Sequence, residues 1–198
     1  MNRVGARVQA PKHEPEAEKT HQKEDDVPVE EQQQEEPSEP KGDYLDVPSR
    51  PFLMKILRRQ GDTKVLFADK VLKFTSSGKM KRRILIITDL SVYLIDPLIE
   101  GLKRRVALAT VDKLCMSDLN DNFFSIVIPT EYDLLLASTR KTQIATLLYE
   151  AIKSSAQYEL EVAFSNSFEY NANAKMIKEV LFEEVEGGVR TRIVMKKK

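Results

Sequence analysis

The sequence predicts a mainly-β domain running from about residue 42 to the C-terminus. It is expected to be an antiparallel partial barrel capped by one long α-helix, with extra C-terminal strands, behind a disordered acidic tail of residues 1–41. Three observations predict this. Seven or so short β-branched and aromatic runs succeed one another between residues 63 and 137 with only tight turns between them. One amphipathic stretch follows them, and the first 41 residues hold almost no large apolar side chains.

The tail comes first. From residue 11 to residue 40 it is mostly Glu, Gln, Lys and Pro, with Val27 and Val29 as its only large apolar residues. Such a segment cannot bury enough surface to offset the entropy of ordering it. It carries 6 Lys/Arg against 11 Asp/Glu, which leaves 25 against 20 for the remainder. A chain of zero formal net charge therefore joins a tail of net −5 to a domain of net +5. That surplus is too small to point to nucleic acid, which is not expected as a partner.

Order is expected to begin at Gly42-Asp43-Tyr44-Leu45. Ser49 as N-cap, Pro51 in the first turn and Gly61 beyond the end bracket a helix over 50–60, with Phe52/Leu53 and Ile56/Leu57 at helical spacing. Residues 64–67 and 69–74 read as one long or bulged strand, and Thr75-Ser76-Ser77-Gly78 as a turn. Strands over 82–88, 91–95, 103–109, 111–115, 123–128 and 132–137 follow, with no room for crossover helices, so their pairing is antiparallel. A helix over 139–157, capped by Ser138 or Thr139, carries the stripe Ile144, Leu147/Leu148, Ala151/Ile152 and is expected to plug one end of the barrel. Residues 159–170, 177–184 and 189–195 read as three more strands, the last two joined by a hairpin turn at Glu186-Gly187-Gly188.

Catalysis is not expected. His13 and His21 both lie in the tail, so Cys115 has no imidazole partner in the folded part, and nothing resembles a zinc set. Cys115, between Leu114 and Met116, reads as a small buried hydrophobe. Asp118 and Asp121 lack EF-hand spacing and read as turn chemistry. No cofactor and no metal is expected. With one Cys, no run of about 18 apolar residues, no secretory h-region and no lipidation motif, the expectation is a soluble, intracellular protein of the cytoplasm.

A set of short stretches narrows the reading. These are Gly42-Asp43-Tyr44-Leu45, Val65-Leu66-Phe67-Ala68-Asp69-Lys70-Val71-Leu72-Lys73, Ile86-Ile87-Thr88-Asp89, Tyr93-Leu94-Ile95, Lys103-Arg104-Arg105-Val106, Ser117-Asp118-Leu119-Asn120-Asp121-Asn122-Phe123-Phe124, Glu131-Tyr132-Asp133-Leu134-Leu135-Leu136, Arg140-Lys141-Thr142 and Phe164-Ser165-Asn166-Ser167. In that order, residues 42–194 resemble the tail homology 1 domain of class I myosins. The resemblance implies a pleckstrin-homology-like barrel with a C-terminal helix, and peripheral binding to anionic phospholipids, including phosphoinositides. The sequence holds no Gly-rich nucleotide loop, so a tail domain free of motor and neck is expected.

A headgroup with several phosphates needs cations converging from neighbouring strands. In domains of this type that implies a Lys late in the first strand and an Arg opening the second, here Lys73 and Arg83, with Lys79, Lys81 and Arg82 between them. Lys73 and Arg83 are both expected to be exposed. Lys103, Arg104 and Arg105 extend the expected patch, and Arg140 and Lys141, unfavourable at a helix start, are expected to face a partner or a carboxylate. Thr75-Ser76-Ser77 departs from the more basic loop usual in the family. The alternative to lipid binding is a structural component docking onto a cytoskeletal assembly, ciliary ones included, with residues 1–41 bound along a protein partner.

The charge asymmetry yields a test. Deleting residues 1–41 is expected to raise affinity for anionic vesicles at low salt in a co-sedimentation assay. The gain should fade as salt shortens the Debye length to about 8 Å. Unchanged affinity at low salt would leave the tail as a linker or a separate ligand.

Overall fold

The computed structural model describes residues 42–155 and 158–196; the acidic tail, His13, His21 and the last two lysines lie outside them. Chain entry is set by one glycine. Gly42 has φ +126°, and a Cβ on it would sit 2.5 Å from the Leu66 carbonyl oxygen. This close approach lets residues 42–44 pair with the following strand: Ala68 N–H donates to the Gly42 carbonyl at 2.9 Å and Tyr44 N–H to the Ala68 carbonyl at 2.8 Å. The Asp43 carboxylate then accepts from the N–H groups of Leu45 and Val47, which shapes the turn into α1 (Pro51–Gln60). Arg50, not Ser49, occupies the N-cap position of α1 and makes no side-chain cap. Gly61 closes the helix in a left-handed conformation, as its position after Gln60 implies.

Seven strands follow: β1 (Val65–Phe74), β2 (Met80–Thr88), β3 (Ser91–Asp96), β4 (Gly101–Ala107), β5 (Lys113–Met116), β6 (Phe123–Val127) and β7 (Leu134–Ala137). They form one sheet in the order β4-β3-β2-β1-β7-β6-β5, every neighbouring pair antiparallel, curled into a partial barrel that does not close. The mainly-β class read from the sequence, an antiparallel partial barrel with one long helix at its end, is what the chain adopts. β1 is one long strand with an irregularity between Val65 and Phe67.

Alternation sorts the side chains into three cores. Phe67, Val71, Leu85, Ile87, Leu94 and Leu136 point into the barrel. On the outer side of β1–β4, Ala68, Ile84, Ile86, Tyr93 and Ile95 pack beneath Leu53 and Leu57 of α1. On the outer side of β5–β7, Cys115 and Leu135 pack against a second sheet. The run Ile84-Leu85-Ile86-Ile87 is apolar throughout because β2 is covered on both faces. Burial raises the pKa of the Cys115 thiol.

Helix α2 (Lys141–Ser155) closes one end of the barrel, its Ile144, Leu148 and Ile152 fully buried in the inner core. Each contributes about 1.5–3 kcal/mol of hydrophobic stabilisation. Arg140, not Ser138 or Thr139, directly precedes the helix; Ser138 shapes the turn ahead of it, its Oγ accepting from Arg140 N–H at 3.1 Å. The cations at the helix start face carboxylates: Arg140 pairs with Asp69 at 3.0 Å and Lys141 with Asp121 at 3.0 Å. Asp121 also accepts from Ser117 and from Phe123 N–H, so it is a turn residue fully engaged.

Beyond α2 the expected single strand over 159–170 is broken at Ser165-Asn166. Its first half, β8 (Glu161–Phe164), adds to the large sheet parallel to β5; its second, β9 (Ser167–Asn173), starts a new sheet with β10 (Met176–Val185) and β11 (Gly188–Met195). The break lets one segment serve two sheets. Asp133 fastens the second sheet to the barrel: its carboxylate accepts from Ile128 N–H, Asn171 N–H and the Asn171 side-chain amide. No described helix is long and apolar enough to cross a membrane.

Gly42→Ala is expected to destabilise the domain by about 1–3 kcal/mol, since alanine meets both a positive φ and a backbone oxygen. At about 2–4 °C per kcal/mol for a domain of this size, thermal unfolding should show a midpoint lowered by several degrees.

Candidate functional site: a cationic mouth at the open end of the barrel

The inner face of the barrel changes chemistry toward the end opposite α2. Along β1 the inward positions run Phe67, Asp69, Val71, Lys73; along β2, counted toward the same end, Ile87, Leu85, Arg83, Lys81. β4 contributes Arg104, opposite Leu94, and β3 ends in Asp96. Three connections border this mouth: residues 75–79, 97–100 and 128–133.

Lys73 lies directly across from Lys81, and Val71 from Arg83. The Arg83 guanidinium pairs with Asp96 at 3.2 Å and donates to the Arg82 carbonyl at 2.7 Å. Arg104 stacks on the Tyr132 ring at 3.8 Å and uses one nitrogen, Nη2, for both the Glu131 carboxylate at 2.9 Å and the Tyr132 carbonyl at 2.6 Å. Its Nε and Nη1 are buried without a protein partner. Unpaired buried donors on a guanidinium are costly and call for an anion or water. The Lys73 ammonium lies 5.3 Å from the same Tyr132 ring. Burial first, then the charges of Arg104, Arg83 and Lys81, lower its pKa to about 8. Four cations therefore meet two carboxylates.

From the mouth a crevice of about 180 Å³ runs toward the second sheet, between Lys73, Ser76, Tyr132 and Asp133 on one side and Tyr170 and Asn173 on the other. The Tyr170 hydroxyl is buried there without a partner, and burial raises its pKa to about 12.

Of the eight cations singled out from the sequence, Lys73, Lys81, Arg83 and Arg104 converge. Arg82 does not: it sits one residue out of phase, beside Lys70 and Leu72 on the outer face. Arg105 likewise faces outward, where its Nε donates to the Tyr93 hydroxyl at 3.0 Å and it pairs with buried Asp62 at 3.4 Å; this is structural work. Lys103 is the extra residue of an irregularity, since Leu94 opposes Arg104 while Ile95 opposes Leu102. Lys79 is exposed at the end of the 75–79 loop, whose Thr75 Oγ1 hydrogen-bonds both Lys79 N–H and the Lys79 carbonyl. The expectation that Arg83 is exposed is corrected: it is 8 % exposed, because strand alternation turns it inward against Asp96. Tyr132, Glu131 and Asp96 were missed as members of the site. Tyr132 and Glu131 lay within a matching stretch, but nothing local ties them to Arg104, 28 and 27 residues away.

Comparison with known proteins decides the family. Residues 41–198 match the family model described as unconventional myosin tail, actin- and lipid-binding. The chain belongs to the myosin tail homology 1 family. It is 32% identical over 139 residues to myosin heavy chain IB of Acanthamoeba castellanii, covering 66% of this chain and 12% of that protein. It is 27% identical over 165 residues to unconventional myosin-Ia of Mus musculus, covering 80% of this chain and 16% of that protein. The chain thus spans about an eighth to a sixth of the length of these relatives. Among solved structures, the linker-DH/PH domains of p115-RhoGEF align at a TM-score of 0.41 and 12% identity, covering 46% of this chain and 30% of that one. The description of the family, actin- and lipid-binding, is that of a binding module.

The depressed Lys73 pKa makes the mouth titratable. Below about pH 8 the folded state must protonate a group its neighbours repel, whereas the unfolded chain holds that proton until about 10.5. Stability should therefore rise with pH between those values, where the unfolded state binds more protons. Lys73→Met is expected to abolish that rise, and to leave stability at pH 7 equal or higher, as read by denaturant titration across pH.

Proposed function

We propose that the domain binds anionic phospholipid, phosphoinositide headgroups in particular, at the cationic mouth, and so associates peripherally with membrane. Lys73 and Lys81 supply mobile ammonium groups from two paired strands. Arg104 and Arg83 supply guanidinium groups already oriented by Glu131 and Asp96. The observation that carries this reading is the buried Arg104 guanidinium with two unpaired nitrogens beside a lysine whose charge the site itself disfavours. A phosphate monoester satisfies both at once: it accepts from the arginine and offsets the repulsion that lowers the lysine pKa. The anion also offsets the two-charge excess of the mouth.

Lys73 and Lys81 are the positions to test, because Arg83 and Arg104 hold structural partners. Lys73→Ala/Lys81→Ala removes two charge-assisted contacts, each worth about 1.5–3 kcal/mol when well placed, and is expected to weaken phosphoinositide-vesicle binding about a hundredfold with an unchanged thermal midpoint. Co-sedimentation over a salt series reads both variant and wild type. Strong phosphoinositide-dependent binding by the double variant would move the site elsewhere. Wild-type protein that ignores anionic vesicles at low salt would leave the alternative, docking onto a cytoskeletal partner.

A further inference from the structure

The β3–β4 connection carries the most exposed large apolar side chain among the described residues. Leu98 is 91 % exposed and Ile99 65 %, and both lie in the four-residue turn 97–100 between Asp96 and Gly101, which pair with each other. The turn is shaped in advance. Pro97 fixes one φ, the Asp96 carboxylate accepts from Leu98 N–H at 3.1 Å, and Glu100 holds a left-handed φ of 49°. A loop so constrained presents two branched aliphatic side chains to solvent rather than folding them back.

Its position is informative. Ile84 lies opposite Ile95 in the β2–β3 pairing. Asp96, the residue before the turn, pairs with Arg83, three residues from Met80 on β2, so the turn and the start of β2 stand at the same end of the barrel. Met80, at the start of β2, is itself 65 % exposed. Three exposed apolar side chains therefore stand on the rim of the mouth, beside the ion pair of Arg83 with Asp96. Lys79, Lys81 and Lys103 are exposed on the adjoining segments and outnumber Glu100, the acidic residue of the turn.

We infer that Leu98 and Ile99, with Met80 beside them, form a wedge that enters the hydrocarbon of the bilayer whose headgroups occupy the mouth. This rests on the reading that the mouth binds anionic lipid. The occupant is identified by shape and by neighbours. The apolar surface is a convex tip, which suits a fluid lipid phase, and cations flank it where headgroup phosphates would lie. Depth is set by the same geometry: the tip passes the phosphate plane while Lys81 stays in it, its stem along the apolar surface.

The chain contains no tryptophan, so one can be placed as a reporter. In the full-length protein, Ile99→Trp is expected to give emission that shifts blue on adding phosphoinositide-containing vesicles. Lipids brominated on the acyl chain should quench it, and soluble inositol phosphate should produce neither effect. Leu98→Ser/Ile99→Ser is expected to weaken vesicle binding by tenfold or more while leaving soluble inositol phosphate binding and the thermal midpoint unchanged. Vesicle binding without blue shift or quenching, or without loss in the double serine variant, overturns the wedge and spares the mouth. Failure of wild-type protein to bind either vesicles or inositol phosphate overturns both.

Discussion

A short β-barrel has two ends to fill, and among the described residues one helix, α2, fills one of them. Everything that distinguishes the molecule follows from that asymmetry. At the end plugged by α2, inward strand positions are apolar and buried except Asp69, which pairs with Arg140 at the helix start, and the helix stripe meets them. At the other end the inward positions reach water, so aliphatic side chains there would recover little hydrophobic stabilisation. Val71 gives way to Lys73 on β1, Leu85 to Arg83 and Lys81 on β2, and Val106 to Arg104 on β4. The switch occurs on three strands at about the same height, so the mouth is a property of the barrel wall rather than of any loop.

Cations packed this closely repel, and the barrel divides the problem between its arginines and lysines. Each inward arginine has one carboxylate, Asp96 or Glu131, and is held in a fixed orientation; Arg104 is pinned further by stacking on Tyr132. The lysines have no such partner among the described residues, and Lys73 absorbs the imbalance as a lowered pKa. Fixed guanidinium groups suit the planar, bidentate recognition of phosphate, while flexible ammonium groups adapt to where its remaining oxygens fall.

The strands and both helices were legible because their signals are local: β-branched runs, Gly61 after a helix, Ser138 in the turn ahead of one, Glu186-Gly187 in a two-residue hairpin. The site was legible only in part, because membership turns on phase. Arg82 and Arg83 are adjacent in sequence and point to opposite sides of the sheet. Whether Arg104 or Arg105 joins the mouth depends on an irregularity at Lys103 that no composition rule reveals, and a one-residue slip exchanges the two faces. The split of residues 159–170 between two sheets was likewise hidden, since Ser165-Asn166 is a weak breaker and its meaning comes from what each half pairs with. Asp133 illustrates the remainder: its role in joining the sheets needs Asn171, thirty-eight residues away.

The 75–79 loop connects the electrostatics of the mouth with the apolar rim. Thr75, Ser77 and Lys79 tie it into a compact hairpin, with Gly78 at φ +83° completing the turn. Hydroxyls occupy positions where further cations would reach toward a membrane. A basic residue near an anionic surface is worth about 1 kcal/mol, and that contribution is screened within a Debye length. A domain with a net charge of only +5 cannot rely on such long-range attraction for residence. Burial of aliphatic side chains is indifferent to salt and acts only on contact. Leu98, Ile99 and Met80 therefore supply the kind of energy that the loop lacks, at the place where the loop would have supplied it. On the proposed reading, attachment needs both halves together, a multiply charged headgroup in the mouth and a bilayer interior within reach of the tip. That conjunction distinguishes a membrane surface from either a soluble polyanion or a bare apolar patch.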